Sequence, residues 1–206
     1  MTISWYFDVI SPFAYLALPD VEALAQRRAV RWVPIVLGPV LAHWGQLGPA
    51  EIAPKRVHTY RLAQFAADRG SVPFRFPPAH PFRSLDAQRL ITAADATPGA
   101  VRALFEFVWA EGRDPVMERD VLAARLGLDD PDAAIDASGA KARLRTATDG
   151  AIAAGVFGVP TLAVDDALFW GADAMPMARA VLHDPGVLTR GEMARFATLP
   201  VGVRRE

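Results

Sequence analysis

The sequence has no cysteine among its 206 residues. This absence excludes disulfide bonds, thiolate metal sites, iron–sulfur clusters, cysteine nucleophiles and dithiol redox chemistry. Any reaction of this protein that needs a thiol must therefore take the thiol from a bound small molecule. A chain without cysteine is also typical of a reducing compartment, and we expect the protein to be cytoplasmic.

A surplus of charge is missing too. The chain has 22 basic and 23 acidic residues, and its formal net charge is −1. Because nucleic-acid binding requires a basic surplus that neutralises phosphates, no nucleic-acid partner is expected. The sequence also lacks a basic and then apolar leader, and its uncharged residues 151–164 are interrupted by glycine and proline. We therefore expect no membrane segment.

Several site motifs are absent as well. The histidines lack the spacing of metal ligands, and no nucleotide-binding or hydrolase motif is present. The acidic residues between positions 129 and 136 lack the calcium-loop pattern and are typical of a helix N-terminus. We therefore expect no metal. Hydrophobic residues make up 52% of the chain and charged residues 22%, which is ordinary for a globular protein.

The beginning of the chain predicts a strand, a helix and a second strand. Apolar and polar residues alternate through residues 3–9, which is typical of a strand. Ser11 followed by Pro12 is typical of a helix start, and Pro19 is expected to kink that helix. Residues 31–37 predict the second strand. Two strands joined through a helix are expected to run parallel.

The middle of the chain, residues 40–154, is rich in alanine, leucine, arginine and glutamate. It predicts helices at residues 55–69, 85–94, 100–111, 117–126 and 140–154. A proline-rich loop at residues 71–82 interrupts them, and a long loop of this kind is more often functional than not. Further on, residues 161–164 and 167–170 predict a β-hairpin, and Asp173 is expected to be the N-cap of a last helix.

Three segments of the chain resemble a known family: residues 7–17 (FDVISPFAYLA), 155–161 (GVFGVPT) and 169–173 (FWGAD). They are similar to segments of the 2-hydroxychromene-2-carboxylate isomerases, bacterial relatives of the kappa-class glutathione transferases. The resemblance implies an α/β thioredoxin-like fold, with a helical domain of residues 40–154 inserted between residues 1–39 and 155–206. It also implies a homodimer, reduced glutathione as cofactor, and a glutathione-dependent cis–trans isomerisation in the breakdown of aromatic compounds.

Ser11 is the candidate catalytic residue. It stands at a helix N-terminus, where unpaired N–H groups and the helix dipole favour negative charge. A thiolate at this position has a lowered pKa, and the Ser11 hydroxyl can donate a hydrogen bond to it. Since the chain has no thiol of its own, the resemblance implies the thiol of glutathione. The alternative is that Ser11 only caps the helix.

The resemblance implies further contacts with glutathione. Pro160 is a candidate for a cis peptide bond, and Val159 before it would offer its backbone N–H and C=O to the cysteinyl part of glutathione. The γ-glutamyl end would be held by Trp170, Gly171, Ala172 and Asp173. The alternatives are an ordinary turn at Pro160 and a mere helix cap at Asp173.

For the expected substrate, an aromatic small molecule, the chain departs from the family. Glu51 stands where the characterised isomerases carry an asparagine that contacts the substrate, and Ala174 stands where an arginine is common. A carboxylate repels an anionic substrate, so the family's substrate is not carried over. Lys55 and Arg83 are the candidates for binding a substrate anion, with solvated surface charge as the alternative. An apolar wall or ordinary core packing is expected of Trp44, Phe74, Phe76 and Phe82.

Three functions remain open at this point. The first is a glutathione-dependent cis–trans isomerase in which Ser11 stabilises the thiolate, acting on a substrate of the aromatic pyruvate or chromene carboxylate type in aromatic-compound degradation. The second is a kappa-type glutathione transferase or peroxidase, which consumes glutathione on electrophiles and is separated from the first by product analysis. The third is a catalytically silent thioredoxin-like binding module, which an absence of glutathione binding would support.

Overall fold

The computed structural model describes residues 1–203, and its centre is a four-stranded sheet. The strands are β1 (Ile3–Phe7), β2 (Arg31–Pro34), β3 (Thr161–Val164) and β4 (Ala167–Trp170). Their order across the sheet is β2-β1-β3-β4; β1 and β2 are parallel, and β3 is antiparallel to both of its neighbours. This arrangement is the α/β thioredoxin-like fold that was predicted, and the β3–β4 hairpin has the predicted bounds.

Helices surround the sheet, and most of them lie between β2 and β3 in the chain. The α-helices are α1 (Pro12–Ala25), α2 (Leu37–His43), α3 (Ala53–Gly70), α4 (Leu85–Ala93), α5 (Pro98–Phe105), α6 (Arg119–Arg125), α7 (Pro131–Asp136), α8 (Ser138–Ala153), α9 (Met175–His183) and α10 (Gly191–Phe196). Short 3-10 turns occupy Pro49–Glu51, Ala172–Ala174 and Pro185–Thr189. Pro19 lies inside α1, which continues through it.

The second strand is shorter than the predicted residues 31–37. It ends at Pro34, and Leu37 already begins helix α2. The Asp8 side chain stabilises this helix start, because it accepts a hydrogen bond from the Leu37 backbone N–H at 2.9 Å. Pro39 falls in the first turn of α2, where a backbone N–H has no partner within the helix. Gly38 and Pro39 are therefore accommodated within helix α2.

Two features of the helical region refine the predictions. The predicted helix at residues 100–111 is α5 followed by a π-helical turn, Glu106–Ala110, in which the Glu111 N–H donates to the Glu106 carbonyl at 2.9 Å. The acidic stretch does begin a helix, α7, since the Asp130 side chain accepts from the Ala133 N–H at 2.9 Å. Helices α2 and α10 were not predicted.

One large apolar core joins the sheet to the helices. The buried rings of Trp5 and Phe7, both on β1, stack with their centroids 4.8 Å apart. Phe105 of α5 lies 5.9 and 5.7 Å from these two rings, close enough for favourable aromatic contacts. Residues of the segments 1–39 and 40–154 thus share a core, and the division of the chain into two domains stays a prediction.

Within residues 1–203, no helix is both long and apolar enough to cross a membrane. Across the same range, no three histidine, aspartate or glutamate side chains come together as a possible metal site.

Candidate active site

Ser11 connects the start of helix α1 to the loop before β3. It is the N-cap of α1, and its Oγ accepts a hydrogen bond from the Ala14 N–H at 3.3 Å. The same hydroxyl donates to the Val159 carbonyl at 3.3 Å, across 148 positions of sequence. The side chain is buried, with Ser11 only 8% exposed. Its cap role is therefore confirmed, and its role toward a thiolate stays a prediction.

The loop that Ser11 contacts contains a cis peptide bond. The bond between Val159 and Pro160 is cis, as predicted from the sequence. The Gly171 N–H donates to the Pro160 carbonyl at 2.9 Å, which fixes the end of β4 against this loop. A Cβ atom at Gly158 would lie 2.5 Å from the Trp170 Nε1 atom, so a residue without a side chain is needed there. The three segments that carry the family resemblance are thus in mutual contact.

The turn after β4 begins with a glycine in a left-handed backbone conformation. Gly171 has φ 94° and ψ 158°, a backbone conformation essentially confined to glycine. Asp173 is exposed, and its carboxylate makes no hydrogen bond or ion pair with residues 1–203. The predicted N-cap at Asp173 is wrong: Ala174 occupies that position without a side-chain bond, because the 3-10 turn Ala172–Ala174 precedes α9.

The predicted substrate residues lie at the surface. Glu51 is in a 3-10 turn, Lys55 is in the first turn of α3, and Arg83 is in the loop before α4. All three are exposed, and no hydrogen bond or ion pair of the described chain links their side chains to one another or to Ser11. Their role toward a substrate stays a prediction.

The four aromatic residues proposed as an apolar wall divide into two groups. Trp44 is 45% exposed, and its Nε1–H donates to the Val156 carbonyl at 2.9 Å, beside the cis-proline loop. The other three, Phe74, Phe76 and Phe82, are partly buried and pack against the large core. Core packing therefore accounts for the three phenylalanines, and Trp44 is the one of these four residues that lies next to the cis-proline loop.

Asp8 was not identified as a site residue from the sequence. It is fully buried, and its carboxylate accepts from the Ile10 N–H at 3.1 Å, the Leu37 N–H at 2.9 Å and the Ser84 hydroxyl at 3.0 Å. Burial raises the pKa of Asp8 from 3.8 to about 6, although the three hydrogen bonds lower it. The sequence did contain a signal for Asp8, because it is an acidic residue at the end of an apolar strand and lies three positions before a helix cap.

Residues 8–11 form a turn before helix α1, the Ser11 turn, which side chains of the helical region hold in place. The Gln88 amide accepts from the Val9 N–H at 3.3 Å and donates to the Phe7 carbonyl at 3.1 Å. The Trp109 Nε1–H donates to the Val9 carbonyl at 2.7 Å. Both side chains are fully buried, so these bonds are shielded from water.

The proline-rich loop also reaches the Ser11 turn. The Nε2 atom of His80 lies 2.9 Å from the Ile10 carbonyl, and its Nδ1 atom lies 2.8 Å from the Tyr60 hydroxyl. Burial lowers the pKa of His80, while the bond to Ile10 raises it. The proline-rich loop therefore contacts the Ser11 turn, a contact for which sequence reasoning named neither His80 nor Tyr60, and the expectation that this loop is functional stays a prediction.

Comparison with known proteins agrees with this arrangement. Residues 2–183 match the family model described as a DSBA-like thioredoxin domain. The chain is 32% identical over 194 residues to the 2-hydroxychromene-2-carboxylate isomerase of Sphingobium xenophagum, covering 89% of this chain and 98% of that protein. The chain belongs to this isomerase family. The resemblance found in the three sequence segments is thereby confirmed.

Two further proteins place the chain within the isomerase family and beside its relatives. The solved structure of a selenomethionine 2-hydroxychromene-2-carboxylate isomerase has a TM-score of 0.75 and 26% identity, covering 96% of this chain and 98% of that one. Glutathione s-transferase kappa 2 of Caenorhabditis elegans is 26% identical over 211 residues, covering 89% of this chain and 92% of that protein. The chain is therefore similar to a kappa-class glutathione transferase as well as to the isomerases.

Proposed function

We propose that the protein is a glutathione-dependent cis–trans isomerase, in which Ser11 stabilises the thiolate of bound glutathione. The observation that carries the proposal is the buried Ser11 hydroxyl at the N-terminus of α1, 3.3 Å from the carbonyl that precedes cis-Pro160. A chain without cysteine needs an external thiol at such a position. The similarity to 2-hydroxychromene-2-carboxylate isomerases supports isomerisation as the reaction.

The residues around Ser11 fit a glutathione molecule. Val159 has its backbone groups beside Ser11 and would bind the cysteinyl part in an extended conformation. The Ser11 hydroxyl would then turn from the Val159 carbonyl to the sulfur, and the N-terminus of α1 favours the negative charge there. Asp173 has a carboxylate available for the ammonium of the γ-glutamyl end, in the turn with Trp170, Gly171 and Ala172.

When bound, the glutathione thiolate supplies reversible addition to a conjugated carbon–carbon double bond, so that rotation can occur before elimination returns the thiol. The protein's own part is to hold the thiolate, orient the substrate and exclude water. Ser11 does the first of these through its hydroxyl and its place at the helix terminus. Because glutathione is recovered, it acts as a cofactor.

The substrate in this proposal is an aromatic small molecule with a conjugated side chain. Lys55 and Arg83 are exposed cations of the helical region and would bind its anionic group. Glu51 would disfavour a carboxylate in its vicinity, so the specific substrate of the characterised isomerases is not carried over to this chain. We also propose that the protein is a cytoplasmic homodimer, without nucleic-acid or membrane partners.

A kappa-type glutathione transferase or peroxidase is the second candidate, and the similarity to the nematode kappa-class enzyme favours it. The same Ser11 site would serve both reactions. Mass spectrometry of the products distinguishes them: an isomerase returns free glutathione with a rearranged substrate, and a transferase yields a glutathione conjugate. A catalytically silent binding module would yield neither product.

Calorimetric titration with reduced glutathione tests the proposal. We expect the Ser11→Ala variant to bind roughly tenfold more weakly than the wild type, because a hydrogen bond to a charged group is lost. Ser138→Ala is the matched control, since Ser138 is an exposed residue at the first position of another helix, α8. Equal binding by Ser11→Ala would overturn the role of Ser11. No binding by the wild type at millimolar glutathione would leave the binding module.

A further inference from the structure

We propose that Tyr60 and His80 form a positioning pair that fixes the peptide group before Ser11 and so aims the Ser11 hydroxyl. This inference rests on the proposed function, because it assigns the pair to the same thiolate site. Neither side chain is placed against the thiol itself. They act through the backbone of the Ser11 turn.

The peptide group between Ile10 and Ser11 is held at both ends. Its N–H, that of Ser11, donates to the Asp8 carbonyl at 3.1 Å. Its oxygen, that of Ile10, lies 2.9 Å from the His80 Nε2 atom. Because a peptide group is planar, holding both ends fixes the plane from which the Ser11 side chain departs. The direction of the Ser11 hydroxyl therefore depends on His80.

Tyr60 contacts both the backbone and the ring of His80. A carbonyl oxygen only accepts hydrogen bonds, so the His80 Nε2 atom must carry a proton to bond with Ile10. The Tyr60 hydroxyl donates its single proton to the His80 carbonyl at 2.6 Å, and its oxygen lies 2.8 Å from the His80 Nδ1 atom. Because Tyr60 holds His80 at these two points, it keeps the ring in the orientation that directs Nε2 at Ile10.

The surroundings of the pair are aromatic. The rings of Phe76, Phe82 and Trp109 lie 6.0, 5.8 and 5.5 Å from the His80 ring, measured between centroids. Trp109 also donates to the Val9 carbonyl at 2.7 Å. Two ring N–H groups of the helical region, those of Trp109 and His80, therefore hold two successive carbonyls of the Ser11 turn. Tyr60 lies in helix α3 and connects His80 to that helix.

Two amide substitutions at His80 separate positioning from packing. In His80→Gln the side-chain amide N–H reaches the place of Nε2, so the bond to Ile10 is kept. In His80→Asn the amide reaches only the place of Nδ1, and the bond to Ile10 is lost. Tyr60→Phe removes the hydroxyl alone and keeps the ring. His58→Gln is the control, since His58 is an exposed residue on the same helix as Tyr60.

The measurement is the pKa of the glutathione thiol in complex with each variant, followed by the ultraviolet absorbance of the thiolate. We expect His80→Asn to raise this pKa by about one unit, a roughly tenfold loss of thiolate at a fixed lower pH. His80→Gln and His58→Gln should stay near the wild-type value, and Tyr60→Phe should lie between. The Kd of glutathione should change less, because Val159 and Asp173 are untouched.

The outcomes separate the pair from the function it serves. If the wild type binds glutathione with a lowered thiol pKa and the His80→Asn and Tyr60→Phe variants keep that pKa, the positioning inference is overturned and the proposed function stands. If His80→Gln behaves like His80→Asn, His80 acts by packing and the inference is again overturned. If the wild type binds no glutathione, the proposed function is overturned and the inference with it. Near-ultraviolet circular dichroism verifies that each variant is folded.

Discussion

The two ends of the candidate site are held in opposite ways. The Ser11 turn is buried, and side chains from the helical region, those of His80, Gln88 and Trp109, bind its backbone. At the other end the turn Ala172–Ala174 exposes the Asp173 carboxylate, which has no partner within residues 1–203. The region between β2 and β3 therefore holds the Ser11 turn in place without a ligand, whereas in the proposed function the turn at Asp173 would be completed by bound glutathione.

The largest effect on stability is expected from substitutions of Trp109, which binds the backbone of the buried Ser11 turn. Trp109→Ala should lower the free energy of unfolding by about 3–5 kcal/mol, since a fully buried indole is replaced by a cavity. Trp109→Phe should lower it by about 1–3 kcal/mol, because the buried Val9 carbonyl loses its donor. Urea denaturation measures both. The control Phe65→Ala, at a residue 59% exposed, should change it by about 0.5 kcal/mol or less. Equal effects of Trp109→Ala and Phe65→Ala would contradict this account.

A second effect concerns pH and the buried Asp8. Burial raises its pKa from 3.8 to about 6 in the folded protein. The native state therefore takes up a proton at a higher pH than the unfolded chain does. As the pH falls through this interval, protonation of Asp8 favours the native state, and as the pH rises the ionised carboxylate disfavours it. This direction is opposite to that of a carboxylate in an exposed ion pair.

The variant Asp8→Asn isolates this titration, because the other carboxylates are common to both proteins. The free energy of unfolding of the wild type minus that of Asp8→Asn should increase by roughly 2 kcal/mol between about pH 7 and about pH 4. Urea denaturation at a series of pH values gives this difference. A difference that does not change with pH would show that Asp8 titrates alike in the folded and unfolded chains.

The smallest effect on stability is expected at Asp173, in the turn Ala172–Ala174. A substitution there should instead affect glutathione binding. Asp173→Asn should alter the free energy of unfolding by about 0.5 kcal/mol or less, since its carboxylate is exposed and makes no hydrogen bond or ion pair within residues 1–203. It should weaken glutathione binding about tenfold, or about 1.4 kcal/mol, through loss of the charge that faces the ammonium. Calorimetry beside the exposed Asp166→Asn variant measures this. Unchanged affinity would remove Asp173 from the glutathione site.

The sequence was sufficient for features that local pattern determines. The alternation of residues 3–9 and the paired segments of the hairpin carry the period of a strand, and three of the four strands were located well. Ser11 followed by Pro12 located the N-cap of α1. The family resemblance then predicted that the Ser11 turn and the cis-proline loop lie close together, which local patterns alone do not indicate.

The rest depends on contacts between distant parts of the chain. His80 and Ile10 are separated by 70 positions, and Trp109 and Val9 by 100. No periodicity in the sequence relates residues so far apart. The sequence therefore drew attention to the proline-rich loop but did not indicate that His80 is the residue that contacts the Ser11 turn. The start of α2 was missed for the same reason, because Leu37 is bound by Asp8 from another element.

The π-helical turn Glu106–Ala110 has a consequence for how relatives of this protein are aligned. One extra residue in a helical turn rotates the side chains that follow it by about 100°. Trp109 lies in this turn, and its indole reaches the Val9 carbonyl from there. A relative with one residue fewer at this point would direct a different side chain at Val9. A one-residue gap in this stretch would therefore mark chains in which another donor supports the Ser11 turn.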